Sequence, residues 1–540
     1  MRRGRMSAVI VGGFATAAVV AACGGSSSSS STKGSGGGGS AAYVTGGTLT
    51  ELISADPGNL DPITSANSET SDLNLFAYDP IVNESSSGKI VSGLASAWSQ
   101  SGNTYTFTMK KGVTCSDGST LMPSTVARDI NFVANPKNKS AQMGTEIPAN
   151  TTAVANNSTY TLTVKVPSAT PFFLQQLPDM DIVCAKGLSD PKRLAEGTDG
   201  TGPYELTSAV AGQSYTYKIR KGYSWGPDGA STSAAGLPST IVMTVVTDQT
   251  TAANELLDGQ ANIAPVAGLP SKPLSSAGLF QQSAQGPAGE LWFNQAKGEA
   301  TASELVRKAV LAALDLPTIG KVLTQNMGAP ATGIVENVPK PCLGNTVAGT
   351  LPAHNVATAE SLLQQAGWRV GPGGIRTKDG KQLQLILLYG TDGGGDPQSA
   401  FQLAIQELAK VGIKLNAVGS TSVAEESVVF GGGSWDMANL ALNVSTPSMA
   451  VPFLSGTTPP KGENFSAIDN STYNSSVAKA TTLSGSAGCS DWDAAEKSLF
   501  RAADIVPFEN ALSSTWGKGV KFQIRDGAVI PTLIRMLKNG

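Results

Sequence analysis

Residues 383–417 read LQLILLYGTDGGGDPQSAFQLAIQELAKVGIKLNA, and this stretch decides the fold class. Leu383, Leu385, Leu387 and Tyr389 alternate, as they do in a strand with one face in a core. A helical pattern covers about 398 to 410, and Ile413, Leu415 and Ala417 alternate again. Strand, helix and strand in so short a span make a βαβ unit, and such a crossover pairs its strands in parallel. The region is therefore α/β.

Working outward toward the N-terminus, Leu291, Trp292 and Phe293 form a short apolar strand. A helix from about 302 to 314 carries Leu305, Val306, Ala309, Val310 and Ala313 on one face. A second, from about 355 to 366, is capped by Asn355 and stopped by Gly367. Farther out the rhythm is that of strands. Residues 47–54 read as one, Asp56 to Pro62 as a turn-rich loop, and Leu73 to Ile81 as a helix over 70–82. Tyr105, Phe107 and Met109 alternate, as do Tyr160, Leu162, Val164 and Val166, and then Tyr215, Tyr217 and Ile219. A β-rich first half beside an α/β second half implies two lobes with a cleft between them.

The N-terminus says where such a body resides. Arg2, Arg3 and Arg5 precede an apolar run from Met6 to Val20, ending Val20-Ala21-Ala22-Cys23. This is the three-part build of a secretory signal, and its end resembles a bacterial lipobox. That resemblance implies lipidation of Cys23 after removal of residues 1–22, and a place on the outer face of the cytoplasmic membrane. Residues 23–40 are largely Ser and Gly, a linker with no apolar surface to bury. Nothing later in the chain has an apolar run long enough to span a bilayer.

Loss of the signal removes three Arg, leaving 35 Lys+Arg against 41 Asp+Glu and a formal net charge of −6. A phosphate-backbone partner calls for the opposite sign, so no nucleic-acid partner is expected. The single histidine, His354, cannot build a histidine-rich metal site, and no serine elbow accompanies it. No phosphate-binding Gly-x4-Gly-Lys-Ser/Thr loop occurs. The expectation is a monomer with neither metal nor cofactor, and not an enzyme.

The ordered motifs resemble the solute-binding proteins of ABC importers, in the peptide/nickel-binding family. They begin with Gly46-Gly47-Thr48-Leu49, Asp56-Pro57 and Leu60-Asp61-Pro62. Gly93-Leu94-Ala95-Ser96-Ala97-Trp98, Tyr105-Thr106-Phe107, Lys111-Gly112-Val113 and Ser116-Asp117-Gly118 follow. Thr201-Gly202-Pro203-Tyr204 and Lys221-Gly222-Tyr223-Ser224-Trp225-Gly226 come next. Phe293-Asn294, Val306-Arg307-Lys308-Ala309, Ala313-Leu314-Asp315 and Ala359-Glu360-Ser361-Leu362-Leu363 complete the order. The resemblance implies a type II periplasmic-binding-protein fold of two hinged lobes. The first lobe takes 41–84, 201–289 and 507–540; a small α+β domain, 85–200, is inserted in it; 290–506 form the second lobe. Four cysteines remain after Cys23, and of their three possible pairings Cys115–Cys184 with Cys342–Cys489 keeps each bridge inside one segment.

The family resemblance further implies capture of oligopeptides or peptide-like solutes by hinge closure, and delivery to a membrane permease driven by separate ATPase subunits. An envelope accessory or signalling lipoprotein that kept the fold and lost transport is the alternative. Candidate ligand residues are Asn67 and Glu69, with Thr64 and Ser65, in the loop after the first strand. Trp292, Trp435, Asp436 and Asn443 are the candidates on the facing lobe. In peptide-binding members an aspartate shortly before a proline pairs with the peptide amino terminus. Asn443, four residues before Pro447, matches that position here and carries no charge.

Overall fold

The computed structural model describes residues 43–538 apart from 66, 86–87 and 392–393. The expected signal, the Ser/Gly linker and Cys23 lie outside the described residues. Ala42–Gly540 form one compact unit.

Its frame is a single mixed sheet. In spatial order the strands are Lys414–Ser420, Gln384–Gly390, Met437–Asn439, Phe280–Phe293, Ile505–Gly517, Ile263–Pro265, Thr48–Ile53, Thr240–Val245, Ser214–Ile219 and Tyr204–Val210. The βαβ reading holds: Gln384–Gly390 pairs in parallel with Lys414–Ser420, Leu385 opposite Leu415, and Pro397–Lys410 is the crossover helix. Thr48–Ile53 is likewise parallel to both of its neighbours. Each end of the sheet thus has its own parallel set, covered by its own apolar clusters. One gathers around Leu311, Leu387 and Phe401, the other around Leu49, Phe76 and Tyr217.

Two long antiparallel strands, Phe280–Phe293 and Ile505–Gly517, join the ends. They pair from Phe280 opposite Gly517 to Trp292 opposite Ile505, with register shifts between Pro287 and Glu290. A register shift bends and twists a strand locally. At Gly289 the bend brings the Phe508 ring so near that a Cβ there would lie 2.5 Å from it. The expected lobe boundaries at 289/290 and 506/507 fall inside these two strands.

A separate four-stranded antiparallel sheet, running from Ala95 to Lys165, packs under the helix Pro123–Val133. Cys115 and Cys184 are bonded at its edge, and Cys342 to Cys489 in the second lobe.

The helix expected over 70–82 is shorter, Ser68–Asn74. Beyond it the carbonyls of Phe76 and Ala77 accept from Tyr204 and Gly202, and this pairing with a distant segment replaces further helical turns. The strand expected at 291–293 is longer, beginning at Phe280.

Candidate functional site

Parallel strands leave a crevice at their carboxyl ends, where the chain turns away into loops. The two parallel sets flank the crossing strands and run in opposite directions, so their carboxyl ends point toward each other along Phe280–Phe293 and Ile505–Gly517. In the second lobe, Gly390 and Ser422 follow their strands into a cavity of about 290 Å³, together with Leu440 and Glu426. In the first lobe, Ser54 and Pro265 end theirs at a smaller one of about 90 Å³, lined also by Glu51, Glu69, Asp72 and Gly527. Ser513 lines the larger cavity and Thr515 the smaller. Residues two apart on a strand share a face, so both cavities reach one face of Ile505–Gly517, while the larger also borders Leu512 from the other. Ala267 and Pro265 repeat the relation. The arrangement is a cleft whose larger cavity takes lining residues from both lobes and whose side pocket lies on the first.

The side pocket is acidic. Glu51 sits in the middle of its strand, opposite Met243 and Ile263, only 8% exposed. Its Oε2 has no hydrogen-bond partner. Burial, with Asp72 nearby, pushes its carboxyl up to about 8. Glu69 and Asp72 stand three apart on the helix Ser68–Asn74, hence on one face. Asp72 keeps access to solvent, yet desolvation, Glu69 and Asp526 raise it to about 7. Asp526 belongs to the turn Asp526-Gly527, both residues at positive φ, which joins Ile524–Arg525 to Ala528–Val529. Asp-Gly is the pair such a tight hairpin favours. Asp526 is itself raised to about 6 by desolvation and by Asp179, with Arg525 opposing. Arg525 is turned toward Asp179 at 2.9 Å. No Lys, Arg or His lines either cavity among the described residues.

Of the residues expected from sequence, Glu69 reaches the cleft. Asn67 is exposed and caps the same helix, its Oδ1 accepting from the Glu69 N–H at 2.8 Å. Thr64 and Ser65 bond within their own loop, to Asp61 and Thr70.

The two tryptophans are corrected to packing positions. Trp292 is fully buried, donates Nε1–H to the Leu440 carbonyl at 2.7 Å and lies 4.7 Å from the Phe465 ring. Trp435 is 4% exposed in the same cluster. Neither offers a ring face to a solute. Asp436 is 9% exposed, and its Oδ2 accepts from the Ile386 N–H at 2.8 Å, which ties it to the neighbouring strand. Asn443 is exposed, and its Oδ1 accepts from Asn337 Nδ2 at 2.8 Å.

Sequence reasoning missed Glu51, Asp72 and Asp526. One signal was present: an acid inside the apolar run Leu49 to Ile53 is costly unless its environment uses it.

A family model described as bacterial extracellular solute-binding proteins, family 5, matches residues 89–464. Protein XP55 of Streptomyces lividans is 26% identical over 381 residues, 68% of this chain and 66% of that protein. Glutathione-binding protein GsiB of Salmonella choleraesuis (strain SC-B67) is 26% identical over 331 residues, 58% of each chain. The chain thus matches less than two thirds of the length of these curated relatives. A substrate-binding protein from Microbacterium hydrocarbonoxydans, solved with 4-hydroxybenzoate hydrazide, superposes with a TM-score of 0.68 at 22% identity. That match covers 91% of this chain and 99% of the other. The likeness establishes the two-lobed fold.

Proposed function

Because this chain belongs to the bacterial extracellular solute-binding proteins of family 5, we propose that it captures a peptide or peptide-like solute between its lobes and hands it to an ABC permease, binding without turnover. The observation that carries this is the pair of cavities reaching one face of the crossing strands, each at the carboxyl ends of one lobe's parallel strands. A solute filling both touches both lobes, and its binding energy favours the shut arrangement over the open one. The register shift at Pro287–Glu290 is where we place the bend. In this reading 41–84, 201–289 and 507–540 move as one lobe carrying 85–200, and 290–506 as the other. Lipidated Cys23 holds the monomer at the outer face of the membrane.

Asn443 supplies no charge to an amino terminus and its Oδ1 is already engaged by Asn337. Recognition of a positive group has to come from elsewhere in the cleft.

The test is a thermal-shift screen of short peptides with small-angle scattering on the hits. A true ligand at 100 times its Kd adds about 2.7 kcal/mol and reduces the radius of gyration. Stabilisation by no peptide, or binding with no compaction, overturns the proposal.

A further inference from the structure

The acidic side pocket has chemistry that general solute capture does not require. Three carboxylates, from a strand (Glu51) and a helix (Glu69 and Asp72), line a space of about 90 Å³, and a fourth, Asp526 on a hairpin turn, lies near enough to Asp72 to raise it. The nearest guanidinium, Arg525, is held by Asp179 and Asn83 and by a longer ion pair to Asp526 at 3.9 Å, which leaves Glu51, Glu69 and Asp72 without an ion pair to it. The innermost, Glu51, is more than nine-tenths buried, lines the space and has an oxygen with no donor. An unpaired buried carboxylate is costly to keep, and a donor-bearing cation removes that cost.

We propose that this pocket is a subsite for an organic cation, an ammonium or guanidinium side group of the captured solute, with Glu51, Glu69 and Asp72 lining it and Asp526 adding its field from beyond Asp72. This rests on the reading of the cleft as the solute site. A bare metal ion is disfavoured by geometry. No three His, Cys, Asp or Glu among the described residues converge closely enough to hold one, whereas an ammonium or guanidinium presents several N–H donors to separated acceptors. The small volume fits a side group, with the larger cavity left for the body of the solute.

Crowding makes the subsite sensitive to pH. Around Glu51 the titratable groups are Glu69 and Asp72 on the helix, Asp526 beyond them with Arg525 beside it, and the Tyr217 hydroxyl two strands away in the sheet. Without a cation, like charge and burial hold protons on the acids; a bound cation displaces them. Affinity for a cationic solute therefore falls as pH drops from 8 to 5.5, and affinity for a neutral one does not.

The experiment titrates the full chain in mild detergent with three probes: acetyl-Ala-Lys-Ala-amide, acetyl-Ala-Gln-Ala-amide and spermidine. The expected result is a preference of about tenfold or more for the lysyl over the glutaminyl peptide. In Glu51→Gln and in Asp72→Asn that preference drops to about twofold or less. Asp72→Asn, at a solvent-accessible position, guards against a folding artefact. Equal affinity for the two peptides overturns the cation subsite and leaves peptide capture standing. Variants that lose both peptides alike also overturn it. Carboxylate-dependent binding of spermidine with no binding of either peptide overturns peptide capture and supports the subsite. Binding of none of the three overturns both.

Discussion

Glu51 shows what one residue can disclose. It occupies the centre of a strand whose neighbours Leu49 and Leu52 are core, where a carboxylate is stable only as the neutral acid or with a partner. Its folded value of about 8 lies above the ordinary carboxylate range. The native state therefore holds a proton that the unfolded state has released, and stability of the ligand-free protein falls as pH rises from about 4.5 towards 8. Glu51→Gln removes that slope and stabilises the free protein by ~1 kcal/mol at pH 8. Urea denaturation at pH 5 and 8 checks it; an unchanged difference between the two pH values excludes a raised Glu51. This position was legible in principle as a charge inside an apolar run. Asp72 and Asp526 were not, because only the folded chain brings residues 51, 72 and 526 together. Trp292 and Trp435 misled for the converse reason. Sequence shows an aromatic side chain but not which of its faces is covered, and Phe465, far along the chain, covers both.

Among the elements, legibility followed the origin of the stabilisation. Gln384–Gly390, Pro397–Lys410 and Val356–Gln365 bury apolar stripes, and their periodicity declares them. Asn355 caps as read, its side chain accepting from the Thr358 N–H at 2.9 Å. Residues 280–290, FQQSAQGPAGE, have no such stripe. They are a strand because backbone groups pair with 505–517. Within that ribbon Gly289 tolerates no side chain, with Phe508 at 2.5 Å from a would-be Cβ. Gly289→Ala forces the ring or the strand to move and destabilises by ~1–3 kcal/mol, read as a lower urea midpoint. It also weakens solute binding, since the altered twist lies between the two cavities. A variant with unchanged midpoint and affinity removes this stretch from the hinge.

For the whole molecule, the order of weak motifs along the chain made the family legible, while the ligand stayed hidden. The architecture recurs across relatives, but the cleft is assembled from loops contributed by both ends of the sequence. The proposed anchoring belongs to this scale too. Cys23→Ala shifts the protein from the membrane fraction to the soluble fraction, and wild-type protein gains the mass of a lipid on a chain beginning at residue 23. Wild-type protein in the soluble fraction with an unmodified Cys23 excludes the anchor.

The place of Ile505–Gly517 in the sheet has a consequence for how the molecule comes into being. This strand lies between Ile263–Pro265 and Phe280–Phe293, at the centre of the sheet, yet residues 294–504 separate it in the chain from its long partner. Until it arrives, both halves of the frame present raw edges. The compact sheet of 95–165 can condense early, but the frame waits for nearly the entire chain. Such non-local pairing makes assembly slow and leaves a long interval in which the polypeptide remains unfolded. A chain so wired stays extended and threadable until residues 505–517 are free to pair, and acquires its shape only then.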